Sequence, residues 1–318
     1  MMSVYEYSNK TQYGIQNSAV RYAWAGYYIF VILSGLLGGT TILIASVKYK
    51  AINLHKSVVS IIQHIAVCDL LTCLSFYLFK TISLIADDWI FGKWMCYLQF
   101  YFRHYVTAVG AYLICAMTTT KLLILFYPLR AGSLTSKCAH IGCAVVWVCT
   151  ISVPAIFIIE NSDISFDYRI FDCMYNFHSS KWQWCKPVLV MLFLIIPAIT
   201  VVATTSCLVY MAYRIAKRDH ETLKWQGLTA TILTATVYCI SVLPSILIAI
   251  ASRSVSLSSS SELHFYRVAV TCLTLNTISN IYIYCLTVTS FRQFLWSRIR
   301  FMYSSRTNIS LRPNQGPR

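Results

Sequence analysis

Seven long apolar blocks alternate with short polar stretches along the chain. They run over Ala23–Val47, Val58–Phe79, Met95–Phe126, His140–Ile158, Pro187–Tyr210, Trp225–Ile250 and Phe265–Val288. A helix rises about 1.5 Å per residue and the hydrocarbon core of a bilayer is about 30 Å thick, so roughly 20 residues suffice to cross it. A membrane-spanning strand would show alternation over about 10 residues, which these continuous runs do not. Hydrocarbon offers the backbone no hydrogen-bond partner, so each block is expected to be a helix. The pattern predicts an all-α membrane protein, a seven-transmembrane helix bundle. It divides into an N-terminal segment 1–22, a seven-span domain 23–289 and a C-terminal segment 290–318.

Charge orients the bundle. Only 12% of residues are charged, and the net charge is +15. With the N-terminus outside, Lys48, Lys50, Lys56, Lys121, Arg130, Lys137, Arg214, Lys217, Arg218, Lys224 and six arginines from Arg292 to Arg318 fall in or near cytoplasmic segments. The acids Glu6, Asp87, Asp88, Glu160, Asp163, Asp167, Asp172 and Glu262 fall outside, leaving Asp219 and Glu221 within the cell. This is the positive-inside asymmetry, with an extracellular N-terminus and a cytoplasmic C-terminus. The basic balance therefore describes an inner collar and not a nucleic-acid surface, for which there is no soluble basic domain. The opening 22 residues lack a basic region followed by a short apolar core, so the first span is expected to act as its own insertion signal. Asn9-Lys10-Thr11 is an outward-facing glycosylation sequon.

Most of the 13 cysteines lie inside spans, where cysteine behaves as a small hydrophobe. Cys138 and Cys143 lack the context of a zinc site, and His140 beside them reads as a helix-end residue. No GxSxG, HExxH or P-loop occurs, and the loops leave no room for a catalytic domain. An enzyme is not expected.

Several landmarks then appear in order. Gly35-Leu36-Leu37-Gly38 lies in the first span and Ile65-Ala66-Val67-Cys68-Asp69 in the second. Trp89-Ile90-Phe91-Gly92 precedes the third span, with Cys96 just beyond it. Trp147, Pro197 and Pro244 occupy the fourth, fifth and sixth spans. Asn280-Ile281-Tyr282-Ile283-Tyr284 and Phe291 close the seventh. Together these resemble the rhodopsin-like G-protein-coupled receptors over nearly the whole chain. The segment Phe291–Tyr303, with arginines among Phe291, Phe294, Trp296 and Phe301, reads as a short amphipathic helix on the inner leaflet. The chain also departs from the family's pattern. Gly39 stands where an asparagine is usual, and Thr120-Lys121-Leu122 where an Asp-Arg-Tyr triplet is usual. Val242 replaces a tryptophan, and the NPxxY proline is missing. Lys121 keeps a positive charge but lacks the five-donor fork of arginine.

The resemblance implies a multi-pass plasma-membrane protein that takes an extracellular ligand and acts on a heterotrimeric G protein, with arrestin as a further partner. It implies a disulfide from Cys96 to the second outer loop, where Cys173 is the natural partner and Cys185 the competitor. It implies a relay of Asp69, Lys121 and Tyr284, and G-protein contacts at Lys121, Lys217, Arg218 and Lys224. The bland reading of those cations is positive-inside flanking. No organic cofactor is implied.

Asp69 is the acid well inside a span, where a carboxylate costs at least about 2.5–3.5 kcal/mol. In the family this position, with Asn276 and Asn280, binds an allosteric sodium ion. Here Gly110 lacks the hydroxyl that often assists, so a weakened sodium or proton site stands against an inert hydrogen-bonded cluster. Arg103 lies seven residues after Cys96, about two helical turns or ~10 Å into the third span. With Lys80, Phe100 and Thr107 it suggests a ligand site for an anionic group such as a carboxylate or phosphate. The alternative is that Arg103 snorkels outward or pairs with Asp87 or Asp88. Thr274 stands where opsins carry their retinal lysine, which argues against a photoreceptor. Two rivals remain. One is a scavenger or arrestin-biased receptor of the same fold, suggested by the altered triplet. The other is a transporter or channel, for which the chain lacks internally repeated broken helices.

Overall fold

The computed structural model describes residues 18–48, 54–159, 164–168, 170–175, 188, 190–218, 225–254, 260–289, 291–297 and 300. Helices occupy every expected block. The first span is α1 (Ser18–Lys48). The second is built from α2 (Lys56–Thr72), a π-helical turn (Cys73–Tyr77) and α3 (Leu78–Ala86). The third is α4 (Gly92–Phe126), and the fourth is α5 (Ser136–Ile159). The fifth is a π-helical turn (Met191–Ile195) continued by α6 (Ile196–Arg218). The sixth is α7 (Trp225–Ser254) and the seventh α8 (Ser260–Thr287). Among the described residues six spans are long and apolar enough to cross a membrane, and α5 adds the shorter apolar stretch Ser136–Ile151. The chain is a multi-pass, seven-helix bundle. Residues 291–297 are helical, with Phe291 and Phe294 buried and Arg292, Gln293 and Trp296 exposed, so the first turns of the expected amphipathic helix Phe291–Tyr303 are seen among the described residues.

The second span ends at Ala86 and not at Phe79. Lys80, Thr81 and Ser83 lower its hydropathy, yet all three are buried in the bundle. The π turn adds one residue to a helical turn, which rotates the rest of the span by about 100°. Lys80 thereby ends on the inner side of α3, over the rings of Tyr28 and Phe76 at 5.4 and 5.5 Å.

Two glycines let α1 approach the second span. A Cβ on Gly35 would collide with Cys73 Sγ, and one on Gly39 would lie 2.8 Å from Leu70 Cγ and 3.3 Å from the Ala66 carbonyl. Small residues four apart on one helix face are a common means of close packing in membranes, where dispersion and not hydrophobicity drives association. Leu70 fills the space that the family's usual asparagine would occupy. Gly39→Asn is therefore expected to overpack the joint, costing about 1–3 kcal/mol. A lowered thermal midpoint of the detergent-solubilised protein checks this.

The outer end is covered by an antiparallel hairpin of β1 (Ile164–Asp167) and β2 (Asp172–Tyr175), with Phe166 opposite Cys173 and Asp167 opposite Asp172. Cys173 is bonded to Cys96 at the start of α4, with Cα atoms 5.5 Å apart. Of the two candidate partners the bridge uses Cys173, and Cys185 lies outside the described residues. The Trp89 ring stacks on Phe166 at 5.4 Å and its Nε1–H donates to the Gly92 carbonyl at 2.7 Å. Asp88 Oδ1 accepts from the Trp89 amide at 2.7 Å and from the Tyr168 hydroxyl at 2.8 Å. The first outer loop is thus a bracket for the hairpin. Asp87 ends α3 in a left-handed conformation and pairs with Arg21 of α1 at 2.6 Å.

Between the second and fourth spans, Trp147 Nε1–H donates to His64 Nδ1 at 3.2 Å, and His64 Nε2 lies 3.0 Å from His140 Nδ1. His140 is therefore an interhelical contact residue as well as an occupant of the start of α5.

Candidate functional site

Phe171 adopts a left-handed backbone with φ of 51° and is buried, which turns the next residue, Asp172, down into the bundle. Asp172 is 1% exposed. Its Oδ2 accepts from Arg103 Nη1 of α4 and lies 3.7 Å from Lys80 Nζ of α3, while Oδ1 accepts from the Cys173 amide at 2.9 Å. Burying charge is tolerated only where it is paired and hydrogen-bonded. Arg103 thus neither snorkels nor pairs with Asp87 or Asp88. Its partner is an acid that the local sequence did not single out.

Aromatic faces complete the cluster. The Arg103 guanidinium sits over Phe76 at 5.5 Å and over Phe100 at 5.7 Å. Arg103 Nη2 lies 3.6 Å from Met174 Sδ, which also receives the Tyr266 hydroxyl at 3.3 Å. Thr107 donates to the Arg103 carbonyl at 2.8 Å, so its hydroxyl is bound to its own helix. A narrow crevice of about 20 Å³ borders the cluster, lined among others by Trp24, Tyr28, Lys80, Tyr266 and Arg267. Arg267 and Tyr266 of α8 were not anticipated, because they read as the polar flank of the seventh apolar block. Their position at the start of that block, level with Arg103 in the opposite span, is the signal that was available.

A second polar centre lies deeper. Asp69 Oδ2 accepts from Asn280 Nδ2 at 2.7 Å. The Oδ1 atoms of Asn276 and Asn280, one helical turn apart on α8, are buried without a hydrogen-bond partner among the described residues. Gly110 faces the thiol of Cys68, whose Sγ–H donates to the Val106 carbonyl at 3.1 Å. The third span therefore offers this centre no hydroxyl at that position. Tyr284 is 1% exposed, with its hydroxyl 3.7 Å from Met117 Sδ and its ring 5.8 Å from Phe291.

The model of the 7 transmembrane receptor (rhodopsin family) matches residues 38–295. The chain belongs to the rhodopsin family of seven-transmembrane receptors. It is 25% identical to the 2-oxoglutarate receptor 1 of Rattus norvegicus over 285 residues, covering 86% of this chain and 83% of that protein. The Mus musculus counterpart is 26% identical over the same shares. The neuropeptide Y receptor type 5 of Rattus norvegicus is 27% identical over 128 residues, 40% of this chain and 28% of that protein. The family and these relatives are receptors and not enzymes.

At the inner end α4 and α7 lie close together. Lys121, expected to face a cytoplasmic protein, is 8% exposed. Its Nζ would be 2.9 Å from a Cβ placed on Gly227 of α7, and Leu54 Cδ2 would collide with that Cβ. The third and sixth spans meet here because Gly227 has no side chain. Thr118 and Thr204 join the third and fifth spans at 2.9 Å. Lys217 is exposed on α6, and Arg218 ends that helix. Lys224 and Asn9 lie outside the described residues. Gly227→Ala is accommodated by small shifts of the two flexible side-chain ends. Gly227→Leu is not, and is expected to part α4 from α7 and raise ligand-independent signalling several-fold. Basal activity at matched surface expression is the measurement.

Proposed function

We propose that the chain is a plasma-membrane receptor that passes the signal of a small anionic ligand to a heterotrimeric G protein. The observation that carries this reading is the outer cluster, in which two cations, the buried Lys80 and the part-buried Arg103, share one carboxylate. Arg267 borders the same crevice. Such a cluster, backed by aromatic faces, favours a carboxylate or phosphate group. The relatives that match over most of the chain include receptors for 2-oxoglutarate, a dicarboxylate, which supports the same class of ligand. Ligand engagement at the outer end shifts a two-state equilibrium whose other state opens the inner end between α4 and α7.

The test is G-protein dissociation in cells, across all Gα classes, on exposure to a panel of small mono- and dicarboxylates with 2-oxoglutarate among them. A response to dicarboxylates that neutral analogues do not give supports the reading. A response confined to neutral, cationic or peptide ligands overturns it. The altered triplet Thr120-Lys121-Leu122 favours a second reading, a receptor that takes ligand without activating G proteins. Ligand binding with silence in every Gα class, but with arrestin recruitment or ligand uptake, distinguishes it.

Asp69 with the Oδ1 atoms of Asn276 and Asn280 offers hard oxygen donors, two of them without a hydrogen-bond partner among the described residues, a donor set that fits a sodium ion. Such an ion would supply positive charge opposite the Asp69 carboxylate, held by Asn276 and Asn280. Asp69→Asn is expected to abolish sodium-dependent stabilisation, read as the thermal midpoint in sodium chloride against choline chloride. Equal sodium dependence in both proteins leaves Asp69 and its asparagines as an inert structural cluster.

A further inference from the structure

We propose that Asp172 is a built-in competitor for the ligand, a tethered carboxylate that holds Arg103 and Lys80 in the resting receptor and is displaced by the ligand's own carboxylate. This rests on reading the outer cluster as the anion site. Three observations carry it beyond that reading.

First, the seat is already taken. Asp172 Oδ2 occupies the position between Arg103 Nη1 and Lys80 Nζ where an incoming carboxylate oxygen would bind. Second, the space beside the seat is small. The crevice that reaches Lys80 measures about 20 Å³, space for about one water molecule. A carboxylate that engages both Lys80 and Arg103 therefore takes the place of the Asp172 side chain between them. Exchanging one carboxylate for another keeps the charge balance of the buried pair, so the swap avoids the cost of exposing or stranding a cation in a low-dielectric site.

Third, the hairpin is built to yield locally without leaving. Cys173, the neighbour of Asp172, is fixed to α4 through Cys96. The ladder is only four residues long on each side, and Asp172 stands opposite Asp167 at its turn end. Like charges directly opposite one another destabilise a strand pair. Arg103 and Lys80 offset that repulsion from the Asp172 side, and lose that role when Asp172 is displaced. Once a ligand takes the cations, the Asp167–Asp172 pair at the turn loosens while the next pair, Phe166 and Cys173, stays anchored to α4 through the disulfide. Ligand occupancy is thereby converted into a change of the outer cover.

The competitor lowers apparent affinity by the fraction of time the seat is free. If Asp172 holds the pair nine-tenths of the time, its removal gains about tenfold. The experiment tracks the thermal midpoint of the purified full-length receptor against malonate concentration, with sodium chloride matching ionic strength. Wild type, Asp172→Asn and Arg103→Ala are compared. The expected result is half-saturation at about tenfold lower malonate in Asp172→Asn than in wild type, and no shift in Arg103→Ala. An Arg103-dependent shift with equal or weaker malonate binding in Asp172→Asn overturns the competitor and leaves the anion site standing. No Arg103-dependent shift in any protein overturns both. Should Asp172→Asn fail to fold, hydrogen exchange of wild type decides. Faster exchange across residues 164–175 on adding malonate supports displacement, and unchanged or slower exchange refutes it.

Discussion

Arg103→Ala is expected to abolish the response to the anionic ligand, raising the half-effective concentration by at least about 100-fold, while the protein still reaches the cell surface. Truncating one partner of a buried, hydrogen-bonded charge pair costs about 2–5 kcal/mol in binding, and 100-fold corresponds to about 2.7 kcal/mol. The fold should survive because of how charge is distributed. Asp172 is shared by two cations, so removing Arg103 leaves one acid facing one base, Lys80, at 3.7 Å. Asp172→Ala is the harsher change, since it leaves the buried Lys80 and the part-buried Arg103 together without their carboxylate. Arg103→Lys separates charge from geometry. It retains the positive charge but not the planar fork, so an intermediate loss is expected. Surface staining and dose–response curves on the same cells measure both quantities. A wild-type response from Arg103→Ala would remove the arginine from the ligand site.

Different physics set how much of this was legible in the chain. The spans were legible because hydrocarbon imposes length and apolarity on every crossing, whatever the helix packs against. The orientation was legible because charge asymmetry acts on the loops directly. The contact of Asp69 with Asn280 was implied by the resemblance, and the hydrogen bond at 2.7 Å agrees with it. Asp172 was not legible. Apart from its neighbour Cys173, nothing in the local sequence separates Asp172 from Asp163 or Asp167, since its burial depends on hairpin register and on the left-handed backbone of Phe171. Its place beside a cysteine tied to α4 was the one clue. The burial of Lys121 was hidden for a similar reason. It depends on a side chain that Gly227 lacks, and absence of bulk leaves no mark in a hydrophobic pattern. The second span was shortened at Lys80 because hydropathy scores a buried, paired cation as if it were a loop residue.

Cys173→Ala is expected to reduce the surface population several-fold and to remove the anion response of whatever reaches the surface. The bridge to Cys96 closes a loop of 77 residues, for which loop-closure entropy gives about 4.5 kcal/mol. The spans between the two cysteines are already inserted in the membrane, so that figure is an upper value. A loss of even 1–2 kcal/mol changes cellular abundance several-fold. The effect on response has a separate cause. Cys173 is fully buried and adjoins Asp172, so the bridge fixes the depth at which the Asp172 carboxylate meets Arg103 and Lys80. Without it the cover over the cluster has no anchored end, and displacement of Asp172 no longer distinguishes a bound receptor from an empty one. Cys185→Ala provides the comparison, because Cys185 was the other candidate partner in the sequence. It should express and respond as the wild type does. Measured together by surface staining and non-reducing electrophoresis, a loss in Cys185→Ala equal to that in Cys173→Ala would mean that Cys96 does not depend on Cys173 alone.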